Sequence, residues 1–159
     1  MRSKKAGLII AAVLCGIVLA GGIFMLFNKS ADKGITDFES INLRLSGMRI
    51  TEEYEIINKG DKCEIAYYHI VYGKEGDRRE LQKSAVCDTS EVIDILNKCS
   101  AIKWNGFHGK HPRGVSDGRM FTLKASVNDR EKLYADGSEN FPRNFNTFEK
   151  WLRDKLYNE

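Results

Sequence analysis

The stretch Trp104–Gly118, WNGFHGKHPRGVSDG, gathers the residue types most able to do chemistry: two histidines, two aromatics at its head, a serine, an aspartate, a lysine and an arginine among four glycines. His108 and His111 at i, i+3 suggest metal ligation, which would need one or two more ligands such as Asp117, His69 or a cysteine. Gly109 and Lys110 between them, with Pro112 directly after, oppose a regular helix, so the spacing does not hold both imidazoles on one face. No CxxC pair completes a closed site, and neither metal nor cofactor is expected. Nucleophilic catalysis would pair a histidine with Ser116, Cys87 or Cys99, but nothing in the sequence specifies an oxyanion hole. Glu52, Glu53 and Glu55 are carboxylates on a strand pattern, mostly facing water, and do not make a glycosidase pair. No catalytic residue is assigned.

Ligand binding is the sharper expectation. Lys103, Lys110, Arg113 and Arg119 stand against Asp117 alone, and amides exposed at glycines among such cations suit a carboxylate or phosphate. Trp104 and Phe107 offer a stacking face for a sugar or peptide. The same two rings could instead anchor the loop in the core, with the glycines serving turns. The binding candidates are Trp104, His108, Lys110, His111 and Arg113. In Ala135–Phe145 (ADGSENFPRNF) the aromatics have core-facing spacing, and Ser138 or Asn140 is expected to cap the helix that follows.

These residues need a frame. Ile41, Leu43 and Leu45 alternate with polar residues, MRITEEYEII repeats the period, and Cys63–Tyr72 and Arg79–Cys87 are two more runs joined by a tight turn. That hairpin, centred near Glu75, sets Cys63 opposite Cys87 as the expected cross-strand disulfide. Asp88-Thr89-Ser90-Glu91 starts a helix carrying Val92, Leu96 and Cys99 on one face, where Cys99 reads as a buried thiol. Met120–Val127 alternates again, Lys132–Ala135 makes a short strand, and Phe145, Phe148, Leu152 and Leu156 form a last helical stripe behind Pro142. The pattern predicts an α+β domain: an antiparallel sheet, in the order four strands, helix, two strands, helix (β4-α-β2-α), with both helices on one face.

Ahead of this domain, Ala6–Phe27 is a run of 22 residues without a charged side chain. At roughly 1.5 Å per residue it reaches across a bilayer core of about 30 Å. The expected division is a cytoplasmic stub (1–5), a single-pass transmembrane helix (6–27), a linker (28–34) and the folded domain (35–159). Arg2, Lys4 and Lys5 favour a cytoplasmic N-terminus and an extracytoplasmic domain at the cell membrane. Those three residues account for the whole net charge of +3, leaving 22 basic against 22 acidic side chains, so no nucleic-acid footprint is expected. Glycine-rich phosphate loops are absent from the sequence.

LNKCSAIKWNGFHGKHPRGVSDGRMFTLKASVN followed by YADGSENFPRNF resembles a group of small, functionally uncharacterised proteins of anaerobic gram-positive bacteria, anchored or exported by an N-terminal apolar segment. The shared features are Trp104–Phe107, Asp117-Gly118 with Phe121, and Gly137–Pro142, all in the C-terminal half. The resemblance implies that these turns belong to the fold, and it implies no activity. The expected function is a non-catalytic binding or scaffolding module at the cell surface, with a cell-envelope protein or an anionic or sugar ligand as partner. The alternative is a cell-envelope hydrolase using His108 or His111.

Overall fold

In the chain's first strand Ile41, Leu43 and Leu45 are buried while Asn42, Arg44 and Ser46 lie on the opposite face, the outcome that period-two alternation dictates when one side of a sheet is covered. The computed structural model describes residues 34–74 and 76–158. Its elements are β1 (Phe38–Ser46), β2 (Thr51–Asn58), β3 (Lys62–Val71), β4 (Arg78–Asp88), α1 (Thr89–Lys98), a 3₁₀ turn (Ala101–Trp104), β5 (His108–Gly109), β6 (Met120–Val127), β7 (Glu131–Ser138) and α2 (Phe145–Tyr157). One sheet of seven strands runs β4-β3-β2-β1-β6-β7-β5. All neighbours are antiparallel except β5 and β7, which are parallel.

Two expectations are corrected here. The domain is mostly sheet and the sheet is mixed, not the all-antiparallel α+β arrangement that alternation suggested. The difference is β5: two residues are too short to show a period, and they join the edge of β7 inside what read as a loop. The second correction concerns the transmembrane, single-pass assignment. No helix among the described residues is long and apolar enough to cross a membrane, and 6–27, read as the anchor, lies outside the described residues, as do the stub and nearly all of the linker.

Both helices pack on one face. Asp88 opens α1, where the Glu91 carboxylate accepts the Asp88 N–H at 3.3 Å, and Val92, Leu96 and Cys99 join the core. From α2 come Phe145, Phe148, Leu152 and Leu156, all buried, each contributing about 1.5–3 kcal/mol of transfer free energy. Trp104 closes the core between Phe145 and Phe148, with ring centroids 5.9 Å from each. A polar chain crosses the same interface. Arg119, just before β6, clamps Glu149 of α2 through both guanidinium nitrogens. Glu149 also meets Arg153 at 3.2 Å, Arg153 reaches Glu52 of β2 at 3.0 Å, and the Tyr67 hydroxyl donates to Glu52 at 2.8 Å. Such a network adds little net energy, because desolvation offsets attraction, but removing one member strands the rest. It sets the rotation of α2 on the sheet.

Cys63 and Cys87 sit opposite each other in the β3–β4 register, buried, as free thiols with sulfurs 3.3 Å apart. Cys99 is a third buried free thiol. Burial pushes the Cys87 thiol up to about 12, so little reactive thiolate exists near neutral pH.

Two outcomes follow. Under a mild oxidant the Cys63–Cys87 bridge should form slowly, and peptide mapping should leave Cys99 free; the bridge should raise stability by about 3 kcal/mol. A bridge to Cys99 would contradict the register. Acid should reveal Glu149: burial alone would push its carboxyl up, but the Arg119 and Arg153 guanidiniums outweigh burial and hold it below the ordinary value. Its stabilisation is therefore complete above the ordinary carboxylate range and lost as pH falls through the folded value. Glu149→Gln should lower Tm at pH 7, and its deficit relative to the unaltered chain should shrink below about pH 4. A deficit unchanged at pH 3 would show that another group carries the linkage.

Candidate functional site

Strand β7 alternates Leu133 and Ala135, buried against the helices, with Tyr134, Asp136 and Ser138 on the other face. That second face carries no helix among the described residues. Beside Tyr134, Asp136 and Ser138 lies β5, with His108 opposite Asp136 and Gly109 opposite Gly137. The strands meet glycine to glycine. A Cβ on Gly137 would lie 3.1 Å from the Gly109 Cα and 2.8 Å from the Phe121 ring, and would fall on the Asn140 carbonyl oxygen. A Cβ on Gly109 would strike the same carbonyl. Glycine inside a strand marks this kind of close backbone approach.

The approach brings two imidazoles over β7. His108 Nδ1 lies 2.5 Å from Asp136 Oδ1, and the Tyr134 hydroxyl donates to Asp136 Oδ2 at 3.1 Å. Accepting that bond, the carboxylate holds the Tyr134 phenol above its ordinary value. His111 Nδ1 lies 2.7 Å from Ser138 Oγ, and His111 Nε2 lies 2.7 Å from the Val115 carbonyl oxygen. The partners dictate the tautomers. A carboxylate only accepts, so His108 carries its proton on Nδ1 and turns an Nε2 lone pair outward when neutral. A carbonyl also only accepts, so His111 carries its proton on Nε2, and its neutral Nδ1 takes the Ser138 hydroxyl proton in a hydrogen bond. The His111 ring is wedged as well: a Cβ on Gly118 would lie 2.6 Å from its Cε1.

His108, Lys110, His111, Met120, Thr122, Asp136 and Ser138 line a depression of about 410 Å³. Met120 and Thr122 also border a second hollow of about 530 Å³, with Asn42, Arg44, Glu53 and Lys124. Together they make a trough across β5, β7, β6 and β1, roughly 14 Å long at about 4.8 Å between strands. On the far side the face is closed by its own bonds: Asn42 donates to Glu53 at 2.8 Å, and Arg79 pairs with Glu53 at 3.0 Å and stacks 4.0 Å from the Tyr68 ring centroid.

Of the residues expected to bind, His108, Lys110 and His111 converge on this depression. Arg113 lies exposed in the adjoining loop. Trp104 does not join them: its indole is 2% exposed and its Nε1–H donates to the Arg143 carbonyl at 3.0 Å. Ser116 is exposed, with His111 bonded to Ser138 instead. Asp136 and Ser138 went unrecognised because the strand was ended at Ala135 and Ser138 was read as a helix cap. The N-cap of α2 is Asn144, and Ser138 ends β7. The available signal is the continued alternation Tyr134, Asp136, Ser138 past Ala135. Among the described residues no group of three or more His, Cys, Asp or Glu is placed to hold a metal ion.

Comparison with protein-family models, with curated proteins and with solved structures finds no match for the chain. The resemblance to small exported proteins therefore rests on its quoted motifs alone.

The glycine contact makes a direct prediction. Gly137→Ala should detach β5 from β7, deprotecting the Asp136 amide, which donates to the Phe107 carbonyl at 3.0 Å, in hydrogen exchange. The β1–β4 amides should keep their protection. Unchanged exchange at Asp136 would show that the close approach is not required.

Proposed function

We propose that this domain recognises a hydroxyl-rich ligand, an oligosaccharide, laid across the helix-free face of the sheet. The observation that carries the reading is the trough itself, which brings donors and acceptors together across four strands. His108, its ring held by Asp136, offers an acceptor, and Asp136 supplies a carboxylate. Lys110, Lys124 and Arg44 supply donors. Each sugar hydroxyl both donates and accepts, so such a surface matches it better than the one-sided charge an inorganic anion selects. Tyr134, 45% exposed beside Asp136, adds an aromatic surface of the kind that packs on a sugar ring. A peptide would be read along a sheet edge by backbone pairing, whereas this trough runs across the strands.

The trough predicts where binding is felt. Titration of the full-length protein with neutral and uronic-acid-containing oligosaccharides should perturb the amide resonances of Thr122, Lys124 and Asp136, and leave those of α1 unmoved. Asp136→Asn should weaken binding by about tenfold, the equivalent of roughly 1.4 kcal/mol for a charge-assisted hydrogen bond. Perturbation confined to the helical face, or none with any sugar tested, would overturn the reading.

A further inference from the structure

The pairing of His111 with Ser138 goes further than recognition. We propose that Ser138 is a nucleophile activated by His111, and that the domain hydrolyses an O-acyl ester, such as an acylated hydroxyl of a sugar bound in the trough. Ser138 Oγ and His111 Nδ1 are 2.7 Å apart, and the Val115 carbonyl, 2.7 Å from Nε2, fixes the ring in the tautomer that leaves Nδ1 able to accept a proton. The carbonyl takes the orienting role that a carboxylate fills in many nucleophile–base pairs. Ser138 is partly exposed and opens onto the depression that Lys110 also lines. A lysine lining that depression is a cation of the kind that would stabilise a developing oxyanion. A Cβ at Gly118 would lie 2.6 Å from the His111 Cε1 and 3.0 Å from Nδ1, so the glycine leaves the imidazole the room to seat against Ser138.

The step balances without any co-reactant but water. Ser138 Oγ bonds to the ester carbonyl carbon as Nδ1 takes the hydroxyl proton. The carbon–oxygen bond to the alcohol then breaks, and the alcohol leaves with the proton from Nδ1. Water attacks the acyl-serine, gives its proton to Nδ1, and a second collapse releases the carboxylic acid, returning the proton to Ser138.

The sugar as carrier of the ester rests on the binding reading above, whereas the nucleophile does not, so the test uses a probe without sugar. Full-length protein treated with a fluorophosphonate should gain one phosphonyl adduct, mapped to Ser138, and should release nitrophenol from 4-nitrophenyl acetate with an initial burst. His111→Asn should slow labelling by about 100-fold or more, the usual worth of a general base. Gly118→Ala, which displaces the ring without touching Ser138, should slow it as well, with thermal unfolding retained as proof of folding. Absence of an adduct at Ser138, or labelling at an unchanged rate in both variants, overturns the proposal. Sugar binding that survives in Ser138→Ala separates the two ideas: the trough can hold a ligand whether or not Ser138 attacks it.

Discussion

The absence of a side chain at Gly109 and Gly137 is the constraint on which the functional face depends. Backbone lies against backbone there, with the Asn140 carbonyl filling the space that a Cβ would need. Only at that separation does β5 pair with β7, and only that pairing sets His108 over Asp136. The next turn of chain carries His111 to Ser138. Without the glycines, four polar side chains would lie on an edge and an unattached loop. With them, His108 is held through Nδ1 and His111 through both ring nitrogens.

The rest of the molecule keeps that edge still. Phe121 packs on Phe145 at 4.7 Å and on Phe141 at 5.3 Å between ring centroids, so β6 is pinned to the start of α2 directly beneath the depression. Arg119, next to Met120 on the trough rim, is clamped from the other side by Glu149. One face of β6 therefore builds the core while the other lines the trough, and a site on a strand held this way is better preorganised than one on a free loop. The 3₁₀ turn completes the support, because the buried Trp104 ring locks the chain just before β5.

Much of the frame was legible where a period had room to show. Met120–Val127 announces a strand by four alternating apolar residues, and Phe145, Phe148, Leu152 and Leu156 announce a helix by their stripe. The mixed character of the sheet was not legible, since a two-residue strand has no period and parallel pairing between segments separated by the β6–β7 hairpin leaves no local mark. Half of the site could be read: the histidines and Lys110 are conspicuous by type. Asp136 and Ser138 were hidden because glycine within a strand reads as a turn until the partner glycine is seen. Trp104 was ambiguous for a general reason, as a tryptophan beside a glycine suits a stacking platform or a core anchor equally. Only its burial against Phe145 and Phe148 decides.

The most direct measurement of the central claim is the protonation pattern of the two rings. Long-range nitrogen–proton correlation spectra, recorded where both imidazoles are neutral, distinguish a proton on Nδ1 from one on Nε2. Strand β7 should hold them in opposite states, with His108 protonated on Nδ1 against Asp136 and His111 on Nε2 against Val115. If both rings give the same averaged tautomer mixture of a freely solvated imidazole, β5 does not hold them over β7, and the site described here is not assembled.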